Sequence, residues 1–251
     1  MRKLPLQLSR LTSKEAASIV EGSHTTVVLL PVGGTQPHGP HLPLGTDLVV
    51  TKEVCRRSAV ELRDNDVAAV IAPHLPYGAG RGGEAAVGTV SLTAEMVQRL
   101  AADLCRAYLR DGWHHVSLVN HHLGHEQVAA LHAAVVEVNE SGGGAEETGT
   151  VPVSFPNVLS RRWLATLPGE LRTGSSHAGR YESSLLLAAD PDEVRRELMK
   201  GLDPCDEPLH AADGYRGDPA SATADEGRAL LDKLVRMVVT EVLEAIGKSD
   251  C

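Results

Sequence analysis

The chain has 251 residues, with 24 Lys and Arg against 33 Asp and Glu, a formal net charge of −9. That balance, with two Trp, four Tyr and one Phe, excludes a general nucleic-acid binder, which needs a basic face and stacking rings. A hydrophobic fraction of 42% suffices for a buried core without disulfides or a structural metal.

The amino-terminal MRKLPLQLSRLTSKEA lacks the apolar stretch of a signal peptide, and no run approaches 18 consecutive apolar residues. The expectation is a soluble, cytoplasmic chain with no membrane partner. Cysteines 55, 105, 205 and 251 form no CxxC pair and read as reduced thiols.

Thr26–Val32 predicts a buried strand, and Asp47–Leu62 a helix capped by Thr46 or Asp47. Val67–Ala72 predicts a second strand, and Thr93–Leu109 a helix with Ser91 or Thr93 near its cap. His115–Val119 and Val151–Phe155 predict two more strands, with a helix over Glu126–Val138 between them. Tyr181–Ala188 predicts a short helix and Thr223–Ile246 a long one. Ser141–Gly149 reads as a surface loop inside one domain spanning 1–251. Short β-branched runs separated by helices indicate an α/β fold with a mostly parallel sheet covered on both faces. Such sheets bind ligands at the carboxyl ends of their strands.

Histidines gather in three segments at such places. His38 and His41 lie in Gly33–Asp47, His121, His122 and His125 in Asn120–Glu126, and His177 in Ser175–Ser184. His38 and Asp47 from one loop, His122 from a second and Glu182 from a third could pool as ligands for zinc, manganese or iron. A carboxylate such as Asp47 could bridge two ions. The blander alternative is that these histidines cap helices or satisfy buried backbone groups. Arg81 and Arg180 could clamp an anionic substrate group or be solvated side chains. The GxGxxG match at 78–83 lies well ahead of the next helix and lacks the acidic residue of a nucleotide site. His125-Glu126 has no second histidine to complete HExxH.

Pro31–Asp47, PVGGTQPHGPHLPLGTD, resembles the PxGSxEQHGPHLPLxTD signature of the creatininase (creatinine amidohydrolase) family. YGAG…GTVSL at Tyr77–Leu92, LVNHH at Leu118–His122, HAGRYESS at His177–Ser184 and GDPASATADEG at Gly217–Gly227 follow in the family's order. The resemblance implies a three-layer α/β/α sandwich, a dinuclear metal centre, hydrolysis of a C–N bond and often a hexamer. It places His38, Asp47 and His122 on metal ligands, with Asp47 the bridge, and His177 on proton transfer or substrate contact. It makes Glu182 the acidic ligand, because Gly124 stands where other members carry an acid.

Several residues depart from the family pattern. Gln36 stands in place of the family's first glutamate ligand, which should weaken or empty one metal position. Alternatively Gln36 coordinates through its amide oxygen, or His121 or His125 substitutes. The family's SxEH wall is replaced by Gly80, Arg81, Gly82 and Gly83, so Gly80 and Arg81, with His121 and His125, are expected beside the substrate. The resulting expectation is a hydrolase of a small amide, cyclic amide or formamide, using one or two divalent ions per subunit. Metal-activated water attacks, His177 supplies a proton to the leaving nitrogen, and Arg180 steadies the oxyanion. Ordinary peptide bonds are set aside in that expectation, although trimming of a small modified peptide fits the same chemistry. The rival is a non-catalytic scaffold on the same fold with a degraded metal site.

Overall fold

A computed structural model of the chain describes residues 6–80, 87–141, 150–172, 177–206 and 214–248. In chain order it contains α1 (Ser13–Val20), β1 (Thr25–Val32), α2 (Thr46–Asp64), β2 (Val67–Ile71), β3 (Gly78–Ala79) and β4 (Ser91–Leu92). There follow α3 (Ala94–Arg110), β5 (His115–Asn120), α4 (His125–Ser141) and β6 (Val153–Ser154). Two longer helices complete it, α5 (Arg180–Ala189) and α6 (Ala224–Ala245), with short helical turns between.

The main sheet has the order β2-β1-β5-β6, and every pairing in it is parallel. β1 lies inside it, and successive side chains of a strand point to opposite faces. Val27 and Leu29 pack into a cluster with residues of α2, α5 and α6. Val28, Leu30 and Val32 pack on the other face with residues of α3, α4 and Trp113. Both faces are therefore covered, as the unbroken apolar run TVVLLPV requires. Each side chain so buried stabilises the fold by roughly 1.5–3 kcal/mol relative to exposure. The result is the three-layer α/β/α sandwich.

Local corrections have local causes. α2 begins after Gly45, with no side-chain cap. Thr46 instead gives its hydroxyl to the Pro43 carbonyl, and the Asp47 carboxylate is held by Gln36 and His38. Thr93 does cap α3, accepting from the Met96 amide. The strand expected over Val151–Phe155 narrows to two residues. There the Asn139 amide donates to the Val153 carbonyl and accepts from its N–H, so a side chain takes the place of a further strand. α1 had no counterpart among the expected elements, although Thr12 and Glu15 form a capping box at its start. Cys55, Cys105 and Cys205 are free thiols. Among the described residues no helix is long and apolar enough to cross a membrane.

One core histidine predicts a pH dependence of stability. His115 on β5 is fully buried. Its Nδ1 lies 2.9 Å from the Val151 carbonyl and its Nε2 2.9 Å from the Ser154 hydroxyl. A neutral ring satisfies the carbonyl by donating at Nδ1. Burial pushes its pKa from 6.5 down to about 4, although the Val151 bond favours the charged form. Between those values the unfolded chain binds a proton that the native chain does not. Stability from this group is therefore fully present above pH 6.5 and is lost as the pH falls towards 4, by about 3 kcal/mol in all. Denaturant melts across that window should show the difference between wild type and His115→Asn shrinking as the pH drops. Parallel pH profiles for the two proteins would contradict this account.

Candidate metal centre

β1 and β5 end side by side, with Val32 paired to Asn120. The chain leaving β1 carries Gln36 and His38, and it returns as α2 with Asp47 in its first turn. The chain leaving β5 carries His121 and His122 into α4. His177 precedes α5, and Glu182 lies in its first turn. Four segments thus deliver polar side chains to one end of the sheet, where parallel folds place their sites.

Asp47 is fully buried and central to the cluster. Its Oδ1 lies 3.1 Å from His38 Nε2. Its Oδ2 accepts from the Gln36 side-chain amide at 3.1 Å and lies 3.7 Å from His122 Nδ1. His38, Asp47 and His122 therefore converge, although they come from separate strand ends. The ligand atoms of Asp47, His121 and Glu182 lie within 4.8 Å of one another. So do those of His38, His177 and Glu182. Glu182 joins both groups.

Backbone groups aim most of these side chains. His38 Nδ1 lies 3.1 Å from the Gln36 carbonyl, His122 Nε2 2.9 Å from the Ala79 carbonyl, and His177 Nε2 2.7 Å from the Pro37 carbonyl. A carbonyl only accepts, so in each ring that nitrogen carries a proton; in His122 and His177 the other nitrogen is left to present its lone pair inward, whereas His38 turns its Nε2 to the Asp47 carboxylate. Histidines that bind metals are oriented in this way by their outer nitrogen. Glu182 Oε2 accepts the Ala178 N–H at 2.5 Å. Ala178 is in the left-handed region, with φ of +50°, a conformation that costs a non-glycine residue energy and that turns its N–H towards the carboxylate. Gly78 lets β3 pass close to His122, since a Cβ there would lie 2.6 Å from His122 Cδ2.

The charges follow from this packing. Burial opposes an imidazolium at His38, but the charge and hydrogen bond of Asp47, helped by Glu182, outweigh it and raise the pKa to about 9. Burial likewise opposes the Asp47 carboxylate, and the His38 charge and hydrogen bond overcome it, holding Asp47 well below the usual carboxylate range. Burial lowers the pKa values of His121 and His177, so both are neutral and have lone pairs to give near pH 7. A buried anion pair accompanied by several neutral imidazoles is the donor set of a borderline-soft divalent cation.

Other expected site residues lie elsewhere. Arg180 donates to Glu226 at 2.7 Å, is about half exposed, and is not drawn into the cluster. His125 is exposed at the start of α4. Gly80 donates its N–H to the Leu92 carbonyl at 3.3 Å, and a Cβ there would meet the Ser91 hydroxyl. Arg81 lies outside the described residues.

The structure adds residues that sequence reasoning left out. Tyr181 is fully buried, stacks on His121 with ring centroids 5.5 Å apart, and holds its hydroxyl 3.3 Å from His121 Nε2. Asn120 donates to the His122 carbonyl, and Gln127 ties Asn120 to the Ala79 N–H. His41 reaches the Ser183 hydroxyl at 2.8 Å, next to Glu182. Asn120 lies in the LVNHH segment that resembles the family motif; nothing in the sequence pointed to Tyr181.

A buried carboxylate–imidazole cluster at the strand ends of a parallel α/β sheet is the arrangement of a metal-dependent hydrolase. Comparison with known proteins makes this specific. The family model described as creatininase, creatinine amidohydrolase, matches residues 9–242. The mycofactocin precursor peptide peptidase of Mycolicibacterium smegmatis is 32% identical over 247 residues, covering 92% of this chain and 88% of that protein. The creatinine amidohydrolase of Pseudomonas putida is 26% identical, covering 94% of this chain and 96% of that one. A crystal structure of a creatininase superposes with a TM-score of 0.78 at 23% identity, over 96% of this chain and 98% of that one. A manganese form of creatininase gives 0.77. The chain belongs to the creatininase family.

Proposed function

We propose that this protein hydrolyses an amide C–N bond with a divalent metal, and that its substrate is a short linear amide, such as the end of a small peptide, rather than creatinine. The observation that carries the reading is the convergence of Asp47 and Glu182 with His38, His121 and His177 in one buried cluster. A divalent ion bound there would polarise a carbonyl and lower the pKa of water towards about 7. Burial among these side chains excludes bulk water and strengthens every charge interaction made at the site.

His177 fits the role of proton carrier. Its ring stacks on His38 at 4.7 Å, and its Nε2 is fixed to the Pro37 carbonyl. Nδ1 is then the atom that takes and returns a proton, and burial, by lowering the pKa, keeps the ring unprotonated and open to a proton near neutrality. Arg180 is committed to Glu226 and has no part in this reading. Ordinary peptide bonds fall within this reading, contrary to the expectation from sequence, because relatives 30–32% identical are named as peptidases.

The test is a panel of short peptides, N-formyl amides and creatinine, incubated with the zinc- or manganese-loaded full chain and read by mass spectrometry. Peptide cleavage that a chelator abolishes is the expected result. Turnover of creatinine with peptides untouched would overturn the substrate assignment. A metal-loaded protein that cleaves no member of the panel would favour the non-catalytic scaffold.

A further inference from the structure

The chain's most conspicuous departure from its family is Gln36, and the structure shows what its side chain does. Gln36 Nε2 lies 3.1 Å from Asp47 Oδ2 and 3.0 Å from His122 Nδ1. Both neighbours are acceptors. A carboxylate oxygen accepts only, and His122 has placed its proton on Nε2, facing the Ala79 carbonyl. An amide has two N–H bonds on one nitrogen, one for each of these acceptors. Turning the amide over would set its oxygen against two lone pairs. The NH2 group therefore stands between a carboxylate and an imidazole, Asp47 and His122, both of which the family resemblance places on metal ligands.

At His121 the situation is reversed. His121 Nδ1 is buried and has no hydrogen-bond partner, while Nε2 of the same ring faces the Tyr181 hydroxyl. The orphaned Nδ1 lies 4.0 Å from Glu182 Oε1 and belongs to the group formed with Asp47 and Glu182. A buried polar atom without a partner costs roughly 1–3 kcal/mol, and a cation between it and the carboxylates would remove that cost. LVNHH at Leu118–His122 stands where the family it resembles has VNGHGGN, so His121 replaces a glycine of that pattern, and position 124, where other members carry an acidic ligand, is here Gly124.

We propose that this protein holds a single divalent ion, bound by Asp47, Glu182 and His121, and that the Gln36 side-chain NH2 takes the place of a second ion by donating to Asp47 and His122. The proposal rests on reading the cluster as a metal centre. It divides the polar groups so that each is satisfied: two acceptors by the amide, and two carboxylates with the free imidazole nitrogen by the ion. His121 thereby compensates for the acid missing at Gly124. Gln36 keeps Asp47 in place where a second cation would otherwise be needed.

The experiment is metal binding by the full chain, stripped with chelator and then titrated separately with zinc and with manganese. Stoichiometry is read by elemental analysis and affinity by competition with a chromophoric chelator. Wild type should take up one equivalent. His121→Ala should weaken that equivalent by about 100-fold or more, the scale on which lost metal-site groups are felt, with an unchanged circular dichroism spectrum. Gln36→Glu should take up two equivalents, because a carboxylate between Asp47 and His122 needs a cation there. Two equally tight equivalents in wild type would overturn the proposal. So would an affinity unmoved in His121→Ala, or a single equivalent in Gln36→Glu. No ion bound by wild type would overturn it together with the metal reading itself, whereas one ion and no amide hydrolysis would leave it standing and defeat only the proposed activity.

Discussion

Asp47→Asn is expected to abolish tight metal binding and to lower hydrolytic kcat/KM by on the order of 10³-fold or more, while the protein stays folded. The substitution preserves the shape of the side chain and removes its charge. Asp47 faces His38 through one oxygen and Gln36 and His122 through the other, so no other side chain in the cluster can replace it. An amide there presents one acceptor instead of two, and its NH2 would meet either the Gln36 NH2 or the inward nitrogen of His38. The loss of one electrostatic group aimed at developing charge already costs roughly 10²–10³ in rate, and loss of the ion adds to that. The variant also removes the partner that raises the His38 pKa, so the His38 imidazolium should give up its proton at lower pH. Elemental analysis, a peptide-cleavage assay and a histidine NMR titration check the three parts. Wild-type metal content in Asp47→Asn would show that the ion, if bound, lies elsewhere in the cluster.

The layout of the fold was readable because its signals are local and strong. TVVLLPV could only be a strand buried on both faces, and the helices covering it have the right period, α3 with Thr93 as its cap. Boundaries slipped where a side chain did the work of backbone. Asn139 replaced a neighbouring strand beside Val153, and Asp47 was drawn into the site rather than into capping its own helix.

The site was legible to the extent that its residues lie in loops at strand ends. His38, Asp47, His122, His177 and Glu182 could be listed from chain position and family pattern alone. What could not be read was the direction of each bond. Whether Gln36 offers oxygen or nitrogen depends on which nitrogen of His122 holds the proton. That in turn depends on a carbonyl 43 residues away in the chain, at Ala79. Tyr181 was expected only as the start of a helix, and its role depends on α5 packing beside the segment that follows β5. Arg180 illustrates the converse. Its nearness to His177 in the sequence suggested a place at the site, but the first turn of α5 points it towards α6 and Glu226.

Gly227→Ala is expected to lower stability by about 3 kcal/mol, although helix propensity alone predicts the opposite sign. Gly227 lies near the start of α6, and alanine in an exposed helix is favoured over glycine by about 1 kcal/mol. Here a Cβ would lie 1.7 Å from the Ser184 carbonyl oxygen and 2.9 Å from the Ala188 Cβ. The first of these is backbone of α5, which cannot swing aside as a side chain can. Ser184 also accepts the Thr223 N–H and reaches the Glu226 carboxylate, so the two helices are joined at the point of closest approach. Overpacking a tight contact costs typically 1–3 kcal/mol and at times more, and the upper end applies where two helix backbones must separate. For a chain of this size that is a melting temperature roughly 6–12 °C lower. The displacement bears on function because Glu182 sits on the same turn of α5. The variant should therefore bind zinc or manganese more weakly than wild type, even at temperatures where it is fully folded. Gly227 closes the GDPASATADEG segment that resembles the family motif, and its contact with Ser184 is a physical reason for a glycine there. Thermal melts and metal titrations of Gly227→Ala at 15 °C give the test. A melting temperature equal to or above that of wild type would mean that α5 and α6 can part at no cost, and that this reason is wrong.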